Sequence, residues 1–540
     1  MNRAPASKGR NAAVVTLPLA GLLVLWLAWA PPSPDLAAAV YRAHLVSLDG
    51  FTLWDDNWYA GHYLPAYSLL FPALTLFIGL QGTGILAVTL STFCFSRLAA
   101  MRFGARATRA TLLFAVSATG DLFIGRITFA TGVSFALLAL LAETKRRHVL
   151  AALAAIACAA ASPVAGLFLA LVAAADLITH YRWTRVVLLG VPALTLIGSM
   201  VVLFPEGGQE PFGFLSLLAA CGAALALLIL LPRTEVALRR GAWLYVGVLW
   251  LCYAVPSPMG SNSVRLGVLF APAIFAGTIN VEQVAVALTG LRRRLAGRLG
   301  EPPALNPTVA RIIFATILLW LVLWEVNGPV VQSLEASADP STRVSYYTPV
   351  IRFLESKSHG EPMRIEVPFT SSHWDAAILA RRFALARGWE RQLDTRDDAL
   401  FYSGELTASS YHAWLSRTAV RFVALSDAPL DYSSRQEAGL IRGGLPFLHE
   451  VFASRHWRVY EVAGAMPLAS GPGRLLAMGD DAFTLSATHA GGFLVRIHYT
   501  PYWQVISGEG TISETSDGWT YVNCPRQEKL TVEASFSLTW

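Results

Sequence analysis

The stretch from Asp49 to Pro72 reads DGFTLWDDNWYAGHYLPAYSLLFP. It concentrates Asp49, Asp55 and Asp56 among Trp54, Trp58, Tyr59, Tyr63 and Tyr67. Asp35, Arg42, His44 and His62 belong to the same loop, 31–66. A carboxylate held where a lipid-borne donor meets a water-borne acceptor can take a proton from a hydroxyl as general base. Aromatic faces suit sugar rings, and basic side chains suit a phosphate. The candidates for the base are therefore Asp35, Asp49, Asp55 and Asp56. Arg42, His62 and Tyr63 are candidates for substrate contact, Gly61 allowing close backbone approach beside His62. Asp35 with Asp55 or Asp56 also offers the oxygen ligands that a divalent metal near a phosphate requires. No Cys/His metal spacing is present, and no other cofactor is implied. The plainer alternative is an interfacial helix pair with an aromatic belt, its acids merely solvated.

Three further places carry suitable chemistry. Arg126 in GDLFIGRITFATG and Arg265 in GSNSVRLG stand beside apolar segments. Charges in or near a span are candidates for function, here for holding a lipid phosphate, against the alternative of snorkelling to the interface. The stretch SSHWDAAILARRFALARGWERQLD, Ser371 to Asp394, sets Trp374, Trp389 and Arg391 among charged and amide groups. That mixture suits carbohydrate, by stacking and bidentate hydrogen bonding, or else a tryptophan core rimmed by ion pairs. Gly-rich phosphate loops, GxSxG and HExxH are missing from the sequence, which argues against nucleotide-sugar chemistry and ATP-driven pumping.

The elements that must position these residues follow from composition. The chain has 540 residues, 54% hydrophobic and 14% charged, where soluble domains carry about 25% charged. Apolar segments near 82–96, 107–120, 126–143, 148–161, 164–179, 185–204, 213–231, 241–256, 263–280 and 308–326 follow a first one at 12–30, read as a retained helix. The net charge of +6 comes from short basic clusters that alternate with acid- or turn-rich loops. This is the positive-inside pattern of a multi-pass plasma-membrane protein with its N-terminus cytoplasmic, not a nucleic-acid footprint. The stretch Tyr67–Leu80 is read as re-entrant, which gives eleven spans, or thirteen if another is hidden, and an extracytoplasmic C-terminal region.

That region reads as α/β over 327–468 and as a β-rich, sandwich-like tail over 469–540, after a transmembrane module over 1–326. MRIEVPF, VRFVAL, WRVYEV, FLVRIHYT, WTYVNC and KLTVEASFSLTW read as strands. Thr348 with Pro349 reads as a helix start, and Ser434 to Glu437 as a capping box. Of five cysteines only Cys524 falls in this region, so no disulfide forms within it.

PDLAAAVYRAHLVSLDGFTLWDDNWYAGHYLPAYSLLFPAL resembles the first extracytoplasmic loop of GT-C type integral-membrane glycosyltransferases. It is similar to the bacterial branch of YfhO-like and 6-pyruvoyl-tetrahydropterin synthase-related membrane proteins. Asp35 matches the leading acid and YAGHYLPAYSLLFP the second part, while YTPYWQVISGEG resembles a motif of the YfhO-like outer domain. The sequence departs from the pattern in having FPAL where a double proline is expected, and one acid at 35 where a pair is expected. The resemblance implies a GT-C-like fold and transfer of a sugar from a polyprenyl-phosphate donor to an envelope glycan, lipid or protein acceptor outside. Asp35 would then be the base. A non-catalytic GT-C-like scaffold and a transporter or lipid flippase are the alternative readings.

Overall fold

A computed structural model describes residues 5–296 and 304–536. The chain forms two compact units. The first comprises Met1–Pro31, Phe77–Leu203 and Glu210–Leu334; the second comprises Pro32–Leu76, Phe204–Gln209 and Glu335–Trp540. The loop that the sequence reading groups with the membrane module thus clusters with the C-terminal region.

Along the chain, α1 (Pro5–Trp29) precedes α2 (Pro34–Asp49), the short strands β1 (Trp54–Asp55) and β2 (His62–Tyr63), and α3 (Phe71–Phe103). Then come α4 (Ala107–Phe123), α5 (Ile127–Thr144), α6 (His148–Ala161), α7 (Pro163–His180), the single turn α8 (Trp183–Arg185) and α9 (Val191–Leu203). The chain continues with α10 (Phe214–Leu230), α11 (Val236–Ala254), α12 (Val264–Thr278), α13 (Val281–Ala296) and α14 (Pro307–Ala338), the last of which ends within the second unit.

Among the described residues, five helical runs are long and apolar enough to cross a membrane, or up to seven if each of two bent pairs is one span. By length and composition this is a membrane module. Full-length spans are fewer than the eleven to thirteen expected. The reason is geometric: α6 and α10 are apolar but have only 14 and 17 residues, and α12 turns by 96° into α13. The stretch Tyr67–Leu80 is no separate span. Helix α3 begins at Phe71 and leaves helical geometry at Gly79 (φ 70°, ψ 170°). The piece before that break is about 12 Å long, against a hydrocarbon core of about 30 Å.

The second unit adds α15 (Val344–Ser358), β3 (Arg364–Glu366), α16 (Trp374–Ile378), β4 (Ala384–Leu385), α17 (Arg391–Asp397), α18 (Ala408–Arg417), β5 (Val420–Ser426), α19 (Arg435–Arg442), β6 (Leu448–Ala453) and β7 (Trp457–Val462). These strands form one sheet, β4-β3-β5-β7-β6, with β3 parallel to β4 and β5, and β7 antiparallel to β5 and β6. The tail holds β8 (Ala469–Ser470), β9 (Gly473–Met478), β10 (Ala482–Ala487), β11 (Gly491–His498), β12 (Trp503–Ser507), β13 (Thr511–Glu514), β14 (Trp519–Cys524) and β15 (Lys529–Ala534). It makes two antiparallel sheets, β12-β15-β10-β9 and β13-β14-β11-β8. Alternate residues such as Phe493, Val495 and Ile497 of β11 and Leu530 and Val532 of β15 share one buried core, as a sandwich requires.

Two local expectations fail. Helix α15 starts at Val344, so Pro349 lies inside it and Thr348 caps nothing. Burial of Tyr346 and Tyr347 in the α/β core favours the earlier start. Ser434 caps no helix with its side chain. Its Oγ accepts instead from the Phe369 N–H at 2.8 Å and from Arg387 at 3.3 Å. The five cysteines are free thiols.

Candidate functional site

Helix α2 starts with Pro34 after an extended Ser33 and carries Asp35 in its first turn, where a negative charge suits the helix dipole. Gly50 (φ 75°) stops it. The following chain folds into the β1–β2 hairpin, with Trp54 opposite Tyr63 and Asp55 opposite His62.

Most aromatic and basic members of this segment are consumed by packing. The Trp58 ring is buried and stacked between Tyr41 (centroids 4.4 Å apart) and His62 (5.7 Å), and its Nε1 donates to the Ala376 carbonyl at 3.0 Å. Gly388 faces the same ring so closely that a Cβ there would lie 2.4 Å from Trp58. The Tyr59 hydroxyl donates to the Gly388 carbonyl at 2.6 Å and accepts from the Glu390 N–H at 2.9 Å. Arg42 is buried, ion-paired with Glu390, and its guanidinium lies 3.8 Å from the Tyr67 ring centroid. Tyr63 is also buried. Its hydroxyl shares a 3.0 Å hydrogen bond with Thr500, and its ring packs edge-on against Trp54.

Asp55 and Asp56 are fully buried. The Tyr41 hydroxyl lies 3.0 Å from both Asp55 oxygens, and the Asn57 N–H donates to one of them at 3.0 Å. Burial and then the nearby Asp480 push the Asp55 carboxyl up to about 8, against the opposing pull of its hydrogen bonds. Burial drives His62 down to about 3. Both groups are therefore neutral near pH 7, and their 3.8 Å approach is neither an ion pair nor a hydrogen bond. Asp56 accepts from the Trp54 Nε1 at 2.7 Å, and burial raises it well above the usual carboxylate range. The side chain of Asp49 lies outside the described residues.

Asp35 differs from these acids in being only partly covered. Two half-exposed tryptophans hold the helix start on which it stands. The Trp374 Nε1 donates to the Pro32 carbonyl at 2.8 Å and the Trp389 Nε1 to the Pro34 carbonyl at 2.9 Å. The His373 ring stacks on Trp389 at 3.4 Å with 4° between planes. Burial pushes His373 down to about 4, so it is neutral at pH 7. Arg391 grips Asp431 in a bidentate pair at 3.1 and 2.8 Å. Burial pushes Asp431 up, but its hydrogen bonds and charge contacts with His373 and Arg391 hold it below the usual range; with His373 neutral, Arg391 supplies the charge. Beneath this segment Arg387 makes a bidentate pair with Asp394 at 3.0 and 2.7 Å and faces Glu366 and Glu437 at 3.9 and 3.6 Å.

Two stretches far apart in sequence are thus joined: the first loop and Ser371–Asp394. A third joins them, because Trp503 packs edge-on against Trp54 and the His498 N–H donates to the Ala60 carbonyl at 2.8 Å. Tyr41, Asn57 and Asp480 complete the network and were not among the sequence candidates. Asp480 follows Gly479 in a turn between strands, and nothing local signals its partner.

In the first unit, Arg126 precedes α5 and Arg265 lies in the first turn of α12. The Arg265 guanidinium lies 5.4 Å from the Phe129 ring centroid, and Phe129 follows Arg126 by one helical turn. The Arg265 side chain therefore reaches the first turn of α5, which Arg126 precedes.

Among the described residues no group of three or more His, Cys, Asp or Glu is arranged to hold a metal ion. The Asp55 oxygens already face Tyr41, which does not fit the divalent-metal expectation. No protein-family model matches the chain, and no curated protein matches it significantly.

Proposed function

We propose that the protein is a cell-envelope glycosyltransferase that moves a sugar from a polyprenyl-phosphate donor to an extracytoplasmic acceptor. The observation that carries this reading is the partly exposed Asp35 on a helix start held by the half-exposed indoles of Trp374 and Trp389. A carboxylate beside aromatic faces is what activation of a sugar hydroxyl asks for. Asp35 is the base in this reading; Trp374 and Trp389 contact the acceptor. Arg391 positions Asp431 and, through it, His373 under Trp389. Arg126 and Arg265, each at a helix N-terminus of the first unit, suit a lipid phosphate. The reading includes a GT-C-like bundle in which the shorter apolar helices also cross the membrane.

The test is mass spectrometry of lipids that co-purify with the wild type and with Asp35→Asn. A polyprenyl-phosphate sugar enriched on the variant is expected. Ordinary phospholipids alone on both proteins would overturn the reading. A non-catalytic scaffold is the second reading, favoured by the burial of Asp55, Asp56, Arg42 and His62.

A further inference from the structure

A cleft of about 780 Å³ opens in the second unit away from Asp35. One wall is the end of the five-stranded sheet, where β3 and β5 begin and β7 ends; the other is β8 and the start of β9. The connector 463–468 joins the two. Arg421 and Arg474 line the opening together with His449, Glu361 and Glu461. Arg421 is 3.9 Å from Glu461, and both are more than a third exposed, so the pair is weak.

Three features mark this cleft as more than a crevice. First, Arg364, also part of its lining, is fully buried. One Nη donates to the Thr418 carbonyl at 2.7 Å, while Nε and the other Nη have no hydrogen-bond partner. Second, Arg496, nearly buried, donates to the Pro467 carbonyl at 2.7 Å and to Ser470 at 2.9 Å, beneath the connector. Two guanidinium groups thus lie under or beside the floor, and among the described residues neither has a carboxylate within ion-pair distance, the buried Asp56 acting on Arg364 only from farther away. Third, Ala419 in the lining takes the left-handed conformation (φ 55°) that commonly closes a helix, here α18, and so turns the chain into β5 at the wall of the cleft.

We propose that this cleft is a second binding site, which takes a hydroxylated chain bearing carboxylate or phosphate groups. Arg421 and Arg474 contact the acidic groups at the opening. Arg364 and Arg496 act through their field, which a low-dielectric wall transmits better than water does. The volume falls within the usual range for small-molecule sites, roughly 300–1,000 Å³. The hydroxylated part of the ligand suits the polar side chains of His449, Glu361 and Glu461 in the lining, which can exchange hydrogen bonds with hydroxyl groups. The proposal does not depend on the transfer reaction.

The test is calorimetric titration of the full-length protein in detergent with three probes: trigalacturonate, glucose 1-phosphate and neutral maltotriose. Binding of at least one anionic probe is expected, weakening as salt rises, with maltotriose silent. Arg421→Ala and Arg474→Ala, both at the surface, should weaken it at least tenfold with unchanged melting temperature. Glu361→Gln and Glu461→Gln should strengthen it about threefold, a gain that misfolding does not imitate. Preference for trigalacturonate identifies a carboxylated chain; preference for glucose 1-phosphate identifies a phosphorylated one. Equal binding of maltotriose, no binding of either anion, or indifference to all four substitutions would overturn the proposal.

Discussion

Replacing Arg42 by alanine removes from a buried position the positive charge that is ion-paired with Glu390. Both side chains are nearly inaccessible, at 2% and 7%. Truncating one partner of such a pair costs about 3–5 kcal/mol, because the other is left as an uncompensated charge. The guanidinium also lies 3.8 Å from the Tyr67 centroid and 5.3 Å from that of Trp58, and the loss of that stacking adds to the cost. One effect opposes the loss. Burial already raises the Glu390 carboxyl, with Arg42 the main group holding it down; without Arg42 it takes up a proton more readily. The penalty should therefore be smaller at pH 5 than at pH 8. For a folding unit of this size each kcal/mol shifts the melting temperature by about 2–4 °C, so a fall of about 6–20 °C is expected for the full-length protein in detergent. Arg42→Met combined with Glu390→Gln removes both charges and should recover at least half of the loss. A fall of less than 2 °C for Arg42→Ala, or a double variant no better than the single one, would refute the reasoning.

The remaining predictions concern neighbours of that pair. Gly388→Ala should cost about 1–3 kcal/mol by overpacking, because its Cβ meets the Trp58 ring at 2.4 Å; Trp58→Leu in the same chain should relieve part of it, read again as melting temperature. Asp55 titrates at about 8 when folded, from an ordinary value of 3.8. Its folded form therefore holds a proton that the unfolded form releases, so its contribution to stability is full below about pH 4 and is lost as pH rises through about 8. Asp55→Asn keeps an acceptor for Tyr41 and should flatten the melting temperature between pH 5 and 9; an unchanged slope would count against the assignment. Asp35→Asn should lower transfer from a polyprenyl-phosphate sugar by about 10²–10⁴-fold, the range for loss of a general base, and cost no more than the about 0.3–1 kcal/mol of a lost helix-dipole charge; transfer at the wild-type rate would remove Asp35 from that role.

Much of the architecture was legible because it is written in local patterns. The apolar segments from 82 to 326 reappear as helices α3–α12 and α14, and all six strand motifs of the C-terminal region form strands, the last over Lys529–Ala534, with 537–540 outside the described residues. What escaped is what depends on distant partners. Ser434 has the spacing of a cap, but Arg387 and the Phe369 N–H lie close enough to claim it. Thr348 and Pro349 have the pattern of a helix start, but Tyr346 and Tyr347 just before them are drawn into the core and carry the helix with them. The break at Gly79 is consistent with the brevity of the apolar run that precedes it. The union of the first loop with β-strands some four hundred residues later has no local signature at all.

The chemistry-bearing residues pose a sharper problem, because catalysis and burial recruit the same types. Trp, Tyr, His, Arg and Asp in one segment suit a sugar site, and they equally suit a network in which each polar tip is satisfied inside a core. Exposure separates the two. Trp58, Tyr63, Arg42, His62, Asp55 and Asp56 lie inside, packed against neighbours, whereas Asp35, Trp374 and Trp389 keep part of their surface open. The buried set still bears on function. Tyr59 and Trp58 fasten the segment to Gly388 and Ala376, and the residue after Gly388 is Trp389, whose indole holds the Pro34 carbonyl beside Asp35. A fault at Gly388 therefore reaches Asp35 along two routes, through the hairpin and through Trp389. Loss of transfer in Gly388→Ala should accordingly exceed what its loss of folded protein accounts for.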